Sequence, residues 1–72
     1  MEEKIIKIFA ANYEKDASSI SVDTKLNEDL HSKSLNLFGL LAMLEGELGS
    51  APSFTEANEL KTVGDFVDFY KQ

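Results

Sequence analysis

The sequence contains no cysteine, no arginine and only one histidine. Without cysteine the chain has no disulfide framework, no thiolate metal site and no thiol nucleophile of its own. One histidine makes neither a metal site nor a proton relay by itself. The longest nearly uncharged run, residues 34–44, is too short to span a bilayer. These absences exclude most catalytic chemistry.

The length and charge of the chain narrow its class further. Seven lysines and thirteen acidic residues among 72 give a net charge of −6, with 43% hydrophobic residues. A chain of this length forms one domain, 1–72, and buries only about 60% of the surface that its unfolded form exposes. Acidic surfaces repel phosphates, so we expect no nucleic-acid partner and instead partners with basic surfaces. The first nine residues lack the apolar core of a signal peptide. We expect a cytoplasmic protein that is monomeric and has no membrane partner.

Apolar residues recur at helical spacing in most of the chain. The pattern predicts four helices: 2–13, 34–48, 55–60 and one that begins at Thr62. Ser34 is a good N-cap residue, and Gly49 is placed to end the same helix. Thr55 is expected to cap the short helix, and Asp65 to complete a capping box with Thr62. The predicted fold class is all-α, a four-helix bundle of three main helices and one short helix with a long loop between helices 1 and 2.

That loop, residues 14–33, shows no sustained period and is long for a compact domain. Its isolated apolar residues are expected to pin it to the core: Ile20, Val22, Leu26 and Leu30. A short helical turn is expected within Thr24–Leu30, whereas Ser18 and Ser19 suit a flexible linker.

The helix over 34–48 carries two apolar stripes. The first is the expected core stripe: Leu37, Leu40, Leu41, Leu44 and Leu48. The second, formed by Leu35, Phe38 and Ala42, is either covered by the long loop or exposed as a contact surface. Gly39 and Gly46 each cost about 1 kcal/mol of helix stability against alanine, so we expect a close approach by another surface as compensation.

Candidate chemistry is sparse. Asp29, His31 and Ser34 include the residue types of a hydrolytic triad, but no nucleophile elbow or oxyanion hole accompanies them. Residues 23–29 lack the ligand pattern of a calcium loop. We therefore expect no catalytic residues and no metal ligands.

Ser34 has two interpretations. It is an ordinary helix cap, or it is a hydroxyl that carries a covalent phosphate group. The free backbone N–H groups and positive dipole end of a helix N-terminus suit an anion at that place.

The segment 24–49 resembles the acyl carrier protein family. The family pattern of T-x-L, E-D-L, a serine motif and a following L-E is matched at the same spacing by Thr24, Leu26, Glu28–Leu30, Ser34–Leu35 and Leu44–Glu45. Lys61–Phe66 is also similar to the family's T-V-G-D opening of the last helix. The resemblance covers nearly the whole chain without an evident insertion.

The resemblance implies a carrier protein with no catalysis of its own. In the family the motif serine, Ser34 by position, bears 4′-phosphopantetheine derived from coenzyme A, and the thiol of that group holds acyl groups as thioesters. The implied partners are a phosphopantetheinyl transferase and acyl-loading and acyl-processing enzymes of the synthase, reductase and transferase types. The implied setting is fatty acid or specialised, polyketide-like biosynthesis.

The sequence departs from the family at the expected docking surface. Lys33 stands where an aspartate normally precedes the serine, and Asn36 and Gly39 stand where acidic residues are common. The predicted partner-binding residues are Lys33, Leu35, Asn36, Phe38, Ala42 and Glu45. Fewer acidic charges weaken electrostatic steering by basic partners and change partner choice. Lys33 either impairs recognition by the transferase or pairs with the attached phosphodiester.

The same residues allow two other functions. The chain is alternatively an unmodified helical interaction module that kept the fold and lost the prosthetic arm, as Lys33 suggests. It is alternatively an aminoacyl or peptidyl carrier, because loading enzymes choose the cargo.

Overall fold

The computed structural model describes residues 1–71 and contains four α-helices. They are α1 (Glu2–Tyr13), α2 (Ser34–Leu48), α3 (Phe54–Glu59) and α4 (Val63–Lys71). In the part of the chain described, the only β feature is an isolated bridge between Lys25 and Thr62. None of the described helices is long and apolar enough to cross a membrane. The all-α prediction is confirmed.

The core lies where α1 packs against α2 and α4, and α3 also packs against α2. Phe9 of α1 meets Phe66 of α4 edge to face, with ring centroids 5.2 Å apart. Both rings are fully buried, as are the innermost leucines of α2, Leu40 and Leu44. The predicted core stripe of α2 is therefore the buried one: Leu37 is buried as well, and Leu41 and Leu48 are partly buried.

The helix ends follow local capping chemistry. Gly49 ends α2 at φ 85°, a left-handed conformation that glycine adopts without strain. The Thr62 hydroxyl accepts a hydrogen bond from the Asp65 N–H at 3.1 Å, and the Asp65 carboxylate accepts one from the Thr62 N–H at 3.1 Å. The capping box predicted for the last helix is thus confirmed. The prediction for the short helix was wrong: Ser53, not Thr55, is the cap.

The long connection between α1 and α2 is held against the bundle. Ile20, Leu26 and Leu30 are buried, as predicted, and Val22 is partly buried. The flexible linker expected at Ser18 and Ser19 is instead part of a 3₁₀ turn over Ala17–Ser19.

Backbone bonds tie the same connection to the start of α4. The Gly64 N–H donates to the Val22 carbonyl at 2.8 Å, and the Val63 N–H donates to the Thr24 carbonyl at 3.0 Å. A turn within Thr24–Leu30 is present, since the Asp29 N–H donates to the Lys25 carbonyl at 2.9 Å. These bonds hold the segment that leads into α2.

Candidate functional site

Ser34 is the first residue of α2, and Lys33 occupies the N-cap position. The prediction that Ser34 caps this helix was wrong. Asn36, in the first turn, bonds back to the cap residue, because its Oδ1 accepts a hydrogen bond from the Lys33 N–H at 3.0 Å. A lysine ammonium only donates, so the cap is one-sided. The Ser34 hydroxyl is exposed and takes no part in these capping bonds.

The start of α2 also leaves backbone donors available. The first bond of the helical ladder runs from the Leu37 N–H to the Lys33 carbonyl at 3.0 Å. The N–H groups of the three residues before Leu37 therefore precede the ladder, at the positive end of the helix dipole. A phosphate group on Ser34 would lie beside these donors, so the local chemistry fits a phosphate-linked prosthetic group.

Two side chains at the end of α1 brace the residues on both sides of Ser34, one through a side chain and one through the backbone. The hydroxyls of Tyr13 and Ser32 are 2.6 Å apart, and the Asn12 Nδ2 donates to the Asn36 carbonyl at 2.9 Å. Burial raises the pKa of Tyr13 above its usual value, and the hydrogen bond with Ser32 opposes that shift. The sequence offered no signal for this brace, since its partners lie 19 and 24 residues apart.

A groove opens beside Ser34, between the end of the long connection, the first turn of α2 and α3. Its volume is about 390 Å³. Leu26, Leu37 and Leu60 contribute apolar side chains to its lining, and Asn27 and Asn58 add amide groups. The serine thus lies at the edge of a concave surface with space for an attached arm.

The second apolar stripe of α2 lies in solvent beside Ser34. Leu35 is 83% exposed and Phe38 is 56% exposed, and Ala42 is exposed as well. The long loop does not cover them, so of the two alternatives the stripe is exposed rather than covered. The ring of Phe38 stacks on Phe54 of α3, with centroids 4.5 Å apart and planes 14° from parallel. The sequence pattern missed Phe54 as a member of this surface.

The two glycines of α2 have different surroundings. A Cβ on Gly39 would lie 2.9 Å from the Asn12 Oδ1, whereas a Cβ on Gly46 would meet nothing within 4 Å. The expected close approach at Gly39 therefore comes from α1 of the same chain. The expectation of a close approach at Gly46 was wrong within the described chain. Glu45 and Glu47, the only charged residues of α2, are exposed.

The triad residue types do not assemble. The Asp29 carboxylate accepts a hydrogen bond from the Lys25 N–H at 2.8 Å and closes a turn. His31 is exposed and has a left-handed backbone, with φ 52°. Glu28 forms an exposed ion pair with Lys25 at 3.7 Å. Among residues 1–71, no three acidic or histidine side chains are grouped as metal ligands.

The helical bundle and the surroundings of Ser34 fit a small protein that carries a covalently attached group. An exposed serine at a helix N-terminus, beside a groove and an apolar surface, suits the attachment of a phosphate-linked arm and the docking of partner proteins.

Comparisons with known proteins support the same class. The family model described as "Phosphopantetheine attachment site" matches residues 3–70. An acyl carrier protein of Borrelia garinii subsp. bavariensis is 36% identical over 69 residues, covering 96% of this chain and 86% of the relative. One from Rickettsia bellii is 38% identical over 72 residues, covering 100% and 89%. One from Lactobacillus acidophilus is 38% identical over 68 residues, covering 94% and 85%.

The chain belongs to the acyl carrier protein family. Members of this family are carriers and not enzymes, and their prosthetic group is phosphopantetheine. The resemblance drawn from the sequence motifs, the carrier assignment and the cofactor assignment are confirmed.

Proposed function

We propose that the chain is an acyl carrier protein whose Ser34 hydroxyl bears 4′-phosphopantetheine. The observation that carries this proposal is the position of Ser34, exposed as the first residue of α2 and not engaged in its cap. The matched family model includes this residue within residues 3–70. The adjoining groove and the backbone donors of the first turn further support the assignment.

The attachment chemistry requires one oxygen nucleophile from this chain. The Ser34 Oγ forms a bond to the phosphorus that joins pantetheine to the adenosine half of coenzyme A. The bond from that phosphorus to the adenosine half breaks, and the serine proton passes to a base on the transferase. The bound group supplies a thiol that forms thioesters, which the cysteine-free chain lacks. The N–H groups of the first turn of α2 stabilise the negative phosphodiester.

A carrier of this kind depends on partner enzymes for attachment of its arm and for loading and processing of the acyl group. The chain receives its arm from a phosphopantetheinyl transferase and its cargo from acyl-loading enzymes, then presents the thioester to acyl-processing enzymes of the synthase, reductase and transferase types. The pathway is fatty acid or specialised, polyketide-like biosynthesis in the cytoplasm. The body measures 25 × 24 × 18 Å, which suits a monomeric single domain, 1–72, that visits larger enzymes.

The partner surface follows from the residues around the serine. Leu35, Phe38 and Ala42 form its exposed apolar part. Lys33 and Glu45 supply charges at its two ends, and Asn36 lies between them in the first turn. All six residues belong to α2 or its cap, so a partner that approaches Ser34 meets them.

One observation favours a second function. Lys33 places a positive charge directly before Ser34, where the family pattern has an acidic residue. An unmodified interaction module with the same fold is the alternative that this lysine supports.

Intact mass separates the two functions. The protein is incubated with coenzyme A, magnesium and a panel of phosphopantetheinyl transferases that includes the one from the same organism. We expect the addition of one phosphopantetheine group in the wild type and in a control, Ser18→Ala, which changes an exposed serine of the long connection; we expect none in Ser34→Ala. No addition with any transferase would overturn the carrier proposal and favour the unmodified module.

A further inference from the structure

We infer that the partner that docks beside Ser34 presents an apolar pocket edged by a carboxylate that faces Lys33, in place of a basic surface. The proposed occupant is the transferase of the same organism, so the inference rests on the proposed function. It concerns the chemistry of the partner and not the identity of the modified serine.

The surface beside Ser34 exposes large apolar side chains. Leu35 and Phe38 are 83% and 56% exposed, and Met1 is the only other large hydrophobic residue exposed in the part of the chain described. The stacked Phe54 extends the apolar surface onto α3. Burying two such side chains on association is favourable, and aromatic side chains are frequent energetic centres of interfaces.

The stretch of α2 beside Ser34 does not share the net negative charge of the chain. The net charge is −6, yet residues 34–44 of α2 carry no charge, and the nearest charged residue before Ser34 is Lys33. Asn36 is engaged in the helix cap, and Gly39 has no side chain to offer. Lys25 and Glu28 form the only ion pair within residues 1–71, so no carboxylate of the described chain pairs with Lys33.

These charges discriminate between partners. A basic docking surface finds no carboxylate between Lys33 and Glu45 and meets repulsion at Lys33. A carboxylate beside an apolar pocket pairs with Lys33 while Leu35 and Phe38 are buried. Such complementarity acts mainly on the association rate and on the exclusion of wrong partners.

The same surface does not favour other occupants. Two copies of a chain with a net charge of −6 repel each other. A single lysine gives little attraction to an anionic lipid surface, for which clusters of several basic residues are needed.

Binding of the unmodified protein to the transferase of the same organism tests the inference. Calorimetry measures the Kd at low and high salt for the wild type, Lys33→Asp, Phe38→Ala and the control Lys71→Asp, which makes the same charge change at the far end of α4. We expect Lys33→Asp to weaken binding about 3- to 10-fold at low salt and less at high salt, since exposed ion pairs contribute modestly and are screened. We expect Phe38→Ala to weaken it about 10-fold and Lys71→Asp to leave it nearly unchanged.

Tighter binding by Lys33→Asp, an equal effect of Lys71→Asp, or no binding by the wild type would each overturn the inference. A dimer of the wild type in sedimentation that Phe38→Ala abolishes would overturn it as well, because the apolar surface would then be a self-interface. Intact mass is recorded in parallel. Modification of Ser34 together with tighter binding by Lys33→Asp refutes the inference and leaves the proposed function standing.

Discussion

The two glycines of α2 allow a matched test of how α1 supports the site. Gly39 and Gly46 lie on one helix, but only at Gly39 would an added methyl group meet another element. Its Cβ would lie 2.9 Å from the Asn12 Oδ1, a separation that real Cβ atoms essentially never show. Gly46 has open space around it. Replacement of each by alanine therefore makes the same chemical change in two environments.

The expected magnitudes follow from helix propensity and one hydrogen bond. Gly46→Ala should stabilise the protein by about 0.5–1 kcal/mol, the usual difference between the two residues in a helix. Gly39→Ala has the same intrinsic gain but displaces Asn12, whose Nδ2 bonds the Asn36 carbonyl at 2.9 Å. Loss of that bond costs about 0.5–1.5 kcal/mol, and residual crowding adds to it. We expect Gly39→Ala to be neutral or destabilising by about 1 kcal/mol.

Urea unfolding monitored by circular dichroism measures the free energy of unfolding of both variants. The two values are compared directly when the free energy falls equally steeply with urea concentration. The Asn12→Ala background removes the obstacle, so Gly39→Ala should become stabilising there by about 0.5–1 kcal/mol. The reasoning is refuted if Gly39→Ala stabilises the wild type as much as Gly46→Ala does, or if the Asn12→Ala background leaves its effect unchanged.

Three further predictions concern other contacts of the fold. Gly64→Ala should destabilise by about 1–3 kcal/mol in urea unfolding, because its Cβ would lie 2.9 Å from the Val22 carbonyl oxygen, which is backbone and cannot move aside. Glu14→Gly should stabilise by about 0.5–1 kcal/mol in the same assay, since Glu14 ends α1 at φ 56°, a strained conformation for residues other than glycine. Burial raises the pKa of both Tyr13 and Tyr70 above 10.0. The unfolded chain then loses these protons first, so the free energy of unfolding should fall as pH rises above about 10, and less steeply in a Tyr13→Phe, Tyr70→Phe double variant.

Each of these predictions has a contrary outcome. A neutral Gly64→Ala would show that the long connection is not held closely against α4. A destabilising Glu14→Gly would show that backbone strain at the end of α1 is smaller than the entropy that glycine loses on folding. An equal pH slope in the double variant would show that the two tyrosines do not titrate differently in the folded and unfolded states.

Local patterns in the sequence were sufficient to predict most of the helix bounds and caps. The bounds of α1 and α2, the stop at Gly49 and the capping box of Thr62 and Asp65 all depend on residues within one or two helical turns. Such signals lie in residues that are close in sequence, so they predict helix ends without knowledge of the tertiary contacts. The short α3 was placed one residue late because both Ser53 and Thr55 are good caps, and only the bond from Glu56 selects Ser53.

The sequence by itself determined the four helices, the family and the candidate serine, because these depend on local periodicity and on ordered short motifs. The tertiary structure decided how the serine is presented. It placed Lys33 rather than Ser34 at the cap and left Leu35 and Phe38 in solvent. It also brought Asn12 so close to Gly39 that no side chain fits there without a shift. Each of these facts depends on which side of α2 the long connection and α1 occupy, and contacts between residues 19 to 27 positions apart leave no periodic trace in the chain.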